Sequence, residues 1–455
     1  MTPLNKSDSQ RPFIVLLASH WLSLLGVALC TTAGFSWLFV LPHHLRGSAD
    51  NPYIGILIFL IIPAVLFLGL ALIPIGVILA RRQIRAGLSK MPNRQSAWRR
   101  LGLFLGLMTF VNIVIGSQAT YRAVQHMETD QFCGQTCHVM KPEFTAWKHA
   151  PHSKVECVEC HIAPGASGWL ASKMSGTRQL MAVVLNNYPR PIHDAIETNR
   201  LVGSDLTCER CHARDREIGS VMKVIPTFRD DEKNTKSETV LMMLVGGKSG
   251  GIHGAHMGPG VEIRYAAADA KREKIPWVEY RGADGKVSAY VDGDAKGLTQ
   301  YSMQCVDCHN RPAHTFELAL RAVDEAMAAG QLNASMPFLK KTAVELLSQS
   351  KTGEDIAPKL AEFYKGKAVA GADVAAASKQ LGQIFSRNVF PDLKVTWGTY
   401  ANNLGHTDAP GCFRCHDGNH LRADKTAITQ DCTTCHRMVA VDEASPEVLK
   451  TLGVN

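Results

Sequence analysis

The pattern of apolar and polar positions changes near residue 120. Before that point three long apolar runs dominate, and after it none occurs. Phe13 to Leu41 and Tyr53 to Ala80 each exceed the roughly 20 apolar residues that span a bilayer, and Leu101 to about Thr120 is just long enough. The pattern predicts three transmembrane helices, over 13–41, 53–80 and 101–120. A cleavable signal would need a shorter apolar core and a small-residue cleavage site, so the first run is read as a retained anchor. Pro63 and Pro74 imply kinks, which membrane helices tolerate. His20 is an ionisable group in the first run, a functional candidate by default. It lies only about 11 Å from the helix start at 1.5 Å per residue, close enough to the interface to be solvated.

Beyond residue 120 the pattern shortens. Val261–Tyr265, Trp277–Tyr280 and Val287–Val291 alternate as strands do, and Gly282-Ala-Asp-Gly285 reads as a hairpin turn. A small antiparallel sheet is expected within 255–295. Residues 313–386 show helical periodicity instead, through Leu318, Ala322 and Ala326, then Ala343, Leu346 and Leu347. The expected fold is a membrane-anchored, mainly α and irregular chain with this β insert. Its divisions are a cytoplasmic tail at 1–12, the membrane region at 13–120, a domain at 121–212, the insert at 213–304 and a C-terminal region at 305–455.

Charge orients the chain. The connector at 81–100 holds seven basic residues (Arg81, Arg82, Arg85, Lys90, Arg94, Arg99, Arg100) and no acidic one. By the positive-inside rule it is cytoplasmic, which puts everything after about residue 121 on the outer side. Those seven charges account for all but one of the net +8, so the outer part is close to neutral. Nothing in it suits nucleic-acid binding.

Cysteine supplies the chemistry. Of 13 cysteines, 12 form six pairs, each followed directly by histidine. Five have two-residue spacing: Cys157 and Cys160 before His161, Cys208 and Cys211 before His212, Cys305 and Cys308 before His309, Cys412 and Cys415 before His416, and Cys432 and Cys435 before His436. The other, Cys133 and Cys137 before His138, has one extra residue. This spacing reads as c-type haem attachment: two thiols bond one porphyrin, and the adjacent imidazole becomes an axial ligand. A zinc site, a redox dithiol or a disulfide would explain one such pair but has no reason to place histidine after every one. Six covalent haems are therefore expected outside the cytoplasm, where c-type haem is assembled, in agreement with the topology. Cys30, in the first apolar run, reads as a small buried hydrophobe.

An electron-transfer haem fills both axial positions, whereas a catalytic one leaves a position open. Of 18 histidines, six belong to the motifs. Candidates for the distal positions, near motifs or in Gly/Pro-rich loops, are His152, His193, His256, His314, His406 and His420. No motif ends in lysine, which favours electron transfer over catalysis.

The stretch from Trp98 to about His212 resembles the NapC/NirT family of membrane-anchored, quinol-oxidising cytochromes. The resemblance rests on the helix after a basic loop, Glu128-Thr-Asp-Gln-Phe-Cys133, Cys137-His138-Val139-Met140, Ala150-Pro-His152, Val155-Glu-Cys157-Val-Glu-Cys160-His161, Lys173 and Arg190-Pro-Ile-His193. His309-Asn-Arg-Pro-Ala-His314 and the run from Gly411 to His420 resemble extended multihaem members. The resemblance implies that Met140 can ligate the first haem in competition with His138. It also implies that Lys173 lies beside a quinol pocket, and that Gln179 stands near where the family can have an acidic residue. The extra residue in Cys133–Cys137, the absence of that carboxylate and the helices at 13–80 depart from the family's basic pattern.

Three functions follow as expectations. The first is a (mena)quinol dehydrogenase of the cell membrane, its haem domain facing the periplasm and feeding periplasmic redox proteins. The second is a relay subunit docked through 13–80 to other membrane subunits. The third is a terminal reductase of a small oxyanion.

Overall fold

A computed structural model of the chain describes residues 13–44, 61–87, 94–136, 138–198, 201–214, 216–248 and 250–453. The chain divides into two compact units, Met1–Glu128 and Thr129–Asn455.

The first unit is helical, with helices Phe13–Leu17, Trp21–His44, Ile62–Arg85 and Arg94–Met127. The first apolar run is thus broken rather than continuous. At the break the Leu22 N–H donates to His20 Nδ1 at 3.2 Å, and the Ser23 hydroxyl donates to the carbonyls of Leu17 and His20 at 2.6 and 2.7 Å. Side chains there satisfy backbone groups that a helix terminus leaves unpaired. Helices Trp21–His44 and Ile62–Arg85 pack through small residues. A Cβ on Gly76 would meet the Ser23 backbone nitrogen at 2.4 Å, and one on Gly69 would meet Cys30 Sγ at 2.8 Å. Close backbone approach of this kind is how apolar helices associate without a hydrophobic driving force. Cys30 is accounted for by this crossing, its thiol 3.7 Å from the Leu66 carbonyl.

Among the described residues two helices, Ile62–Arg85 and Gln95–Met127, are long and apolar enough to cross a membrane, and Trp21–Ser36 is a shorter apolar stretch. The expected span over 13–41 is therefore not one helix, and part of that over 53–80 lies outside the described residues. The third helix extends beyond 101–120 at both ends.

The second unit combines short helical turns, two antiparallel sheets and a helical cluster. Strands β1 (Gly219–Phe228), β2 (Lys236–Gly246) and β7 (His436–Glu443) form a sheet in the order β1-β2-β7. Strands β3 (Glu262–Ala267), β4 (Trp277–Arg281), β5 (Val287–Val291) and β6 (Thr299–Ser302) form another, ordered β5-β4-β3-β6. The expected hairpin is β4–β5, with Val278 opposite Tyr290 and the Gly285 N–H closing onto the Gly282 carbonyl at 2.9 Å.

The region expected to be helical forms Ala319–Ala328, Leu339–Gln349, Ile356–Tyr364 and Gly371–Asn388. Its apolar stripes, including Ala322, Val323, Leu347, Leu360, Leu381 and Ile384, close on one another and on Phe228 of β1. This is a conventional aliphatic core.

Candidate haem-ligating histidine pairs

Each attachment motif is a tight helical turn. Cys157–His161 and Cys305–Cys308 are α-helical, and Cys208–Arg210, Gly411–Arg414 and Cys432–Thr434 are 3₁₀ turns. Such turns put two residues spaced by three on one side. In the third motif Cys211 lies just past the 3₁₀ turn rather than within it. The N–H groups of Cys211 and His212 both donate to the Cys208 carbonyl, at 3.1 and 2.8 Å, which keeps both thiols and the imidazole on the same turn. Cys211 is exposed, as are Cys160, Cys412 and Cys432, whereas Cys208 and Cys305 are half-buried. All of these are free thiols.

The first motif, with its extra residue, is met by a π-helical turn over Phe132–Thr136. A π turn is wider than an α turn and absorbs one added residue. Cys137 and the His138 side chain lie outside the described residues; Met140 is half-buried at the start of the Lys141–Lys148 helix.

Successive motifs are tied together in chain order. The Cys157 N–H donates to Asp130 at 2.8 Å, and a hydrogen bond between the Cys133 and Cys157 thiols lowers the first thiol and raises the second. Arg210 reaches Glu159 at 2.8 Å, and the Ser204 N–H donates to the Gln304 side chain at 3.1 Å. Arg414 donates to the carbonyl of Asp307, and His416 Nδ1 lies 2.7 Å from the Thr429 carbonyl just ahead of Cys432.

The sheets position two of the motifs. Asp307, inside the fourth motif, is held by Tyr265 of β3 and by Arg272, whose guanidinium lies 3.9 Å over the Tyr301 ring of β6. His436 of the last motif opens β7, where it pairs with Met243 of β2.

Five motif histidines face a second histidine at nearly constant separation. Ring centroids are 6.1 Å apart for His161 and His314, 6.0 Å for His212 and His152, and 6.2 Å for His309 and His253. They are 5.9 Å apart for His416 and His256, and 6.1 Å for His436 and His406. Stacked imidazoles would be closer, and edge-on pairs would scatter over about 4.5–7 Å rather than repeat one value. Two metal–nitrogen bonds of about 2 Å plus the half-width of two rings, roughly 1 Å apiece, span about 6 Å. The residues present therefore fit an iron between each pair. A cavity of about 270 Å³ lies beside His256, bordered by Ser204, Arg214, Ile263 and Gln304.

The electrostatics suit ligation. Burial pushes His161, His256, His309 and His314 below the usual imidazole value, so these rings are neutral and keep a lone pair. Nδ1 faces a backbone carbonyl in His152 (Pro312, 3.1 Å), His256 (Ile252, 2.8 Å), His314 (Glu143, 3.0 Å) and His416 (Thr429, 2.7 Å). A carbonyl only accepts, so Nδ1 carries the proton and Nε2 is left for the metal, the usual outer-shell arrangement of a ligating histidine. Next to His314, burial lifts the Glu143 carboxyl to about 7 although the buried Arg311 guanidinium is close by.

Among the described residues His193 and His420 face no motif histidine. His193 bonds Glu197 at 3.0 Å, and His420 commits Nδ1 to Asp417 and Nε2 to the Ile275 carbonyl, at 2.8 and 2.5 Å. His253 was not among the sequence candidates. The signal was present in the spacing His253-Gly-Ala-His256, which repeats a histidine one helical turn on.

Lys173 and Gln179 lie on the Gly165–Val184 helix, which has no buried residue. Leu170, Met174, Met181 and Val184 are exposed and fall on one stripe at about 100° per residue. Lys173 borders this stripe, 5.5 Å over the Trp169 ring, and is near enough to Cys133 to help lower that thiol. Gln179 falls on the opposite face, where its amide lies 3.5 Å from the Ser175 hydroxyl.

Residues 95–218 match the model of the NapC/NirT cytochrome c family, N-terminal region. The chain is 37% identical over 450 residues to cytochrome c-type protein ImcH of Geobacter sulfurreducens, covering 92% of this chain and 87% of that protein. The chain belongs to the NapC/NirT family of c-type cytochromes. Cytochrome c-type protein NrfH of Wolinella succinogenes is 28% identical over 112 residues, covering 24% of this chain and 60% of that protein. No solved structure matches the chain. This NapC/NirT cytochrome is accordingly a multihaem electron-transport protein with covalently bound haem c and apolar helices that anchor it in a membrane. Its likeness to ImcH extends past the 95–218 region into the part that holds the last three motifs.

Proposed function

We propose that this chain is an inner-membrane cytochrome that oxidises a menaquinol-type quinol and passes the electrons, through six haem c groups, to periplasmic acceptors. The observation that carries the reading is the set of five imidazole pairs. When bound, haem c supplies a one-electron carrier at each motif. The paired imidazoles of the last five motifs would hold the iron from both sides and would leave no open site for a substrate. That favours a conductor over an oxyanion reductase, which needs one.

The chain's residues then act by holding and excluding. Nδ1 hydrogen bonds fix the ring planes, and the motif-to-motif contacts fix the order of the sites, from Cys133 to Cys435. At the first motif the family resemblance assigns Met140 or His138 as ligand. The proposed quinol site lies beside Lys173, as the family resemblance implies. The apolar stripe of Leu170, Met174, Met181 and Val184 would face the lipid phase from which a quinol arrives, as an interfacial helix does. The Lys173 ammonium, a compact donor, would hydrogen-bond a quinol oxygen next to the first attachment site. Gln179, on the far face of the helix, is outside this contact. Oxidation of a quinol releases two electrons and two protons, and with the basic 81–100 connector on the inner side, as the positive-inside rule expects, that release would fall outside.

Purified holoprotein in detergent, mixed anaerobically with a reduced menaquinol analogue, tests the reading through the haem α-band. Rapid reduction that slows at least tenfold in Lys173→Ala, with dithionite reduction intact, is the expected result. Reduction by dithionite but not by quinol would overturn the quinol assignment, and a strong high-spin ferric signal from the last five sites would overturn the conductor.

A further inference from the structure

The Gly251–Met257 helix has no evident reason to fold by itself. It is seven residues long, contains two glycines and has no fully buried residue, His253 and His256 being half-buried. Isolated helices below about 12–15 residues are marginal even in good helix-forming sequences, and glycine costs roughly 1 kcal/mol in a helix relative to alanine. The flanking chain is packed backbone to backbone. A Cβ on Gly246 would meet the Gly250 carbonyl at 1.8 Å, and one on Gly258 would meet the Gly254 carbonyl at 2.4 Å.

What the helix does carry is His253 and His256, three residues apart. Positions so spaced are neighbours on a helix surface, about 5–6 Å between Cβ atoms. Each ring faces a histidine of a different motif, His253 toward His309 and His256 toward His416. The two motifs are joined independently by the Arg414 guanidinium, which donates to the carbonyls of Asp307 and Arg272.

We propose that this helix is a two-point clamp: His253 is the sixth ligand of the haem iron held at Cys305–Cys308–His309, and His256 that of the iron held at Cys412–Cys415–His416. One helical turn then spans two successive haems, and ligation adds the ordering that partial side-chain burial alone does not supply. The proposal rests on reading the ring pairs as axial ligands. It is independent of the identity of the electron donor.

The test uses the full holoprotein carrying His253→Met, His256→Met or both. Low-temperature EPR and near-infrared magnetic circular dichroism count bis-histidine and histidine–methionine haems, and a redox titration reads their potentials. Each single variant is expected to convert one haem of six to histidine–methionine ligation and to raise its potential, because a thioether ligand does so. The double variant converts two, and His193→Met converts none. One alanine inserted after Gly254 turns His256 by about 100° and is expected to leave one haem without its sixth ligand. An unchanged spectrum in either single methionine variant overturns the clamp.

If the variants do not mature, diethyl pyrocarbonate labelling of the wild-type holoprotein gives the answer. Protection of His253 and His256 alongside modification of exposed His193 is expected, and modification of His253 or His256 overturns the assignment. Failure of quinol to reduce the wild type would sink the quinol reading alone, with these spectra still deciding the clamp.

Discussion

Tyr265 donates its hydroxyl to the carboxylate of Asp307 at 2.5 Å, joining the centre of a β-sheet to the interior of an attachment motif. Arg272 reaches the same carboxylate at 3.2 Å, both side chains being almost wholly buried, and the Gln304 N–H donates to its second oxygen at 2.7 Å. Burial pushes the Tyr265 phenol well above its usual range, so it stays a donor at any working pH. Breaking one side of a buried pair strands the other charge. Asp307→Ala is expected to destabilise the holoprotein by about 3–5 kcal/mol. Asp307→Asn keeps an acceptor and is expected to cost less, about 1–3 kcal/mol. Urea midpoints of the two variants and the wild type check this, and variant midpoints equal to that of the wild type would show that Arg272 does not depend on the carboxylate.

These contacts mark the limit of what the sequence carried. The Cys-x-x-Cys-His motifs and the β4–β5 hairpin are local, so a few residues specify them: the thiol spacing for the one, alternating Trp277–Tyr280 and Val287–Val291 about a glycine turn for the other. The β1–β2 ribbon was not legible, because Pro226 lies inside β1 and argues against a strand. It is tolerated because β1 is the edge of its sheet. The partners of the motif histidines join residues far apart in sequence, such as His152 with His212 and His161 with His314. No local pattern encodes which pairs with which. His420 illustrates the cost: it lies four residues from a motif histidine, yet both its nitrogens are used by Asp417 and Ile275. The break at His20 was equally hidden, since only Ser19 and His20 interrupt the apolar residues there and the run resumes at Trp21.

Gly134 sits inside the π turn of the first motif, where an added Cβ would fall 2.1 Å from the Phe144 ring. A side chain there must displace either the ring or the turn. Gly134→Ala is expected to cost about 1–3 kcal/mol and to fall on haem attachment at Cys133. Pyridine haemochrome analysis should give about one-sixth less haem per chain, with quinol reduction lost and dithionite reduction of the remaining haem kept. The double variant Gly134→Ala/Phe144→Ala, which removes the clash, should recover attachment. Full haem content in the single variant would mean that the ring moves aside at no cost.

Chain order of the motif contacts predicts what removal of the last haem does. Cys432→Ser/Cys435→Ser deletes the attachment next to the Thr429–His416 contact and leaves Lys173 and the first motif untouched. Quinol should still reduce the remaining haem at the wild-type rate, whereas transfer to an external acceptor should fall at least tenfold. Stopped-flow reduction and reoxidation measured separately distinguish the two steps. Unchanged reoxidation would show that electrons leave before the last motif.

Lys340 gives a prediction about alkaline stability in the helical cluster. Its ammonium is buried against Asp324 at 2.5 Å and donates to the Leu320 carbonyl at 2.9 Å, while Asp324 also accepts the Phe228 N–H at 3.0 Å. Burial lowers the Lys340 pKa below its ordinary value, and the Asp324 carboxylate only partly opposes this. Between that lowered value and the unfolded-chain value of about 10.4, the unfolded chain binds a proton that the folded chain does not. Stability must therefore rise with pH across that window and fall as pH drops through the folded value. Urea midpoints taken from pH 7 to 10 should show this rise from Lys340 against the background set by other groups. Lys340→Met should remove it and, by stranding Asp324, lower stability at pH 7 by about 3–5 kcal/mol. Lys340→Met/Asp324→Asn should regain part of that loss, because the remaining amide still accepts the Phe228 N–H without a buried charge. If the wild type and Lys340→Met show the same pH slope, the lysine keeps its ordinary affinity for a proton inside the fold, and Asp324 offsets burial in full.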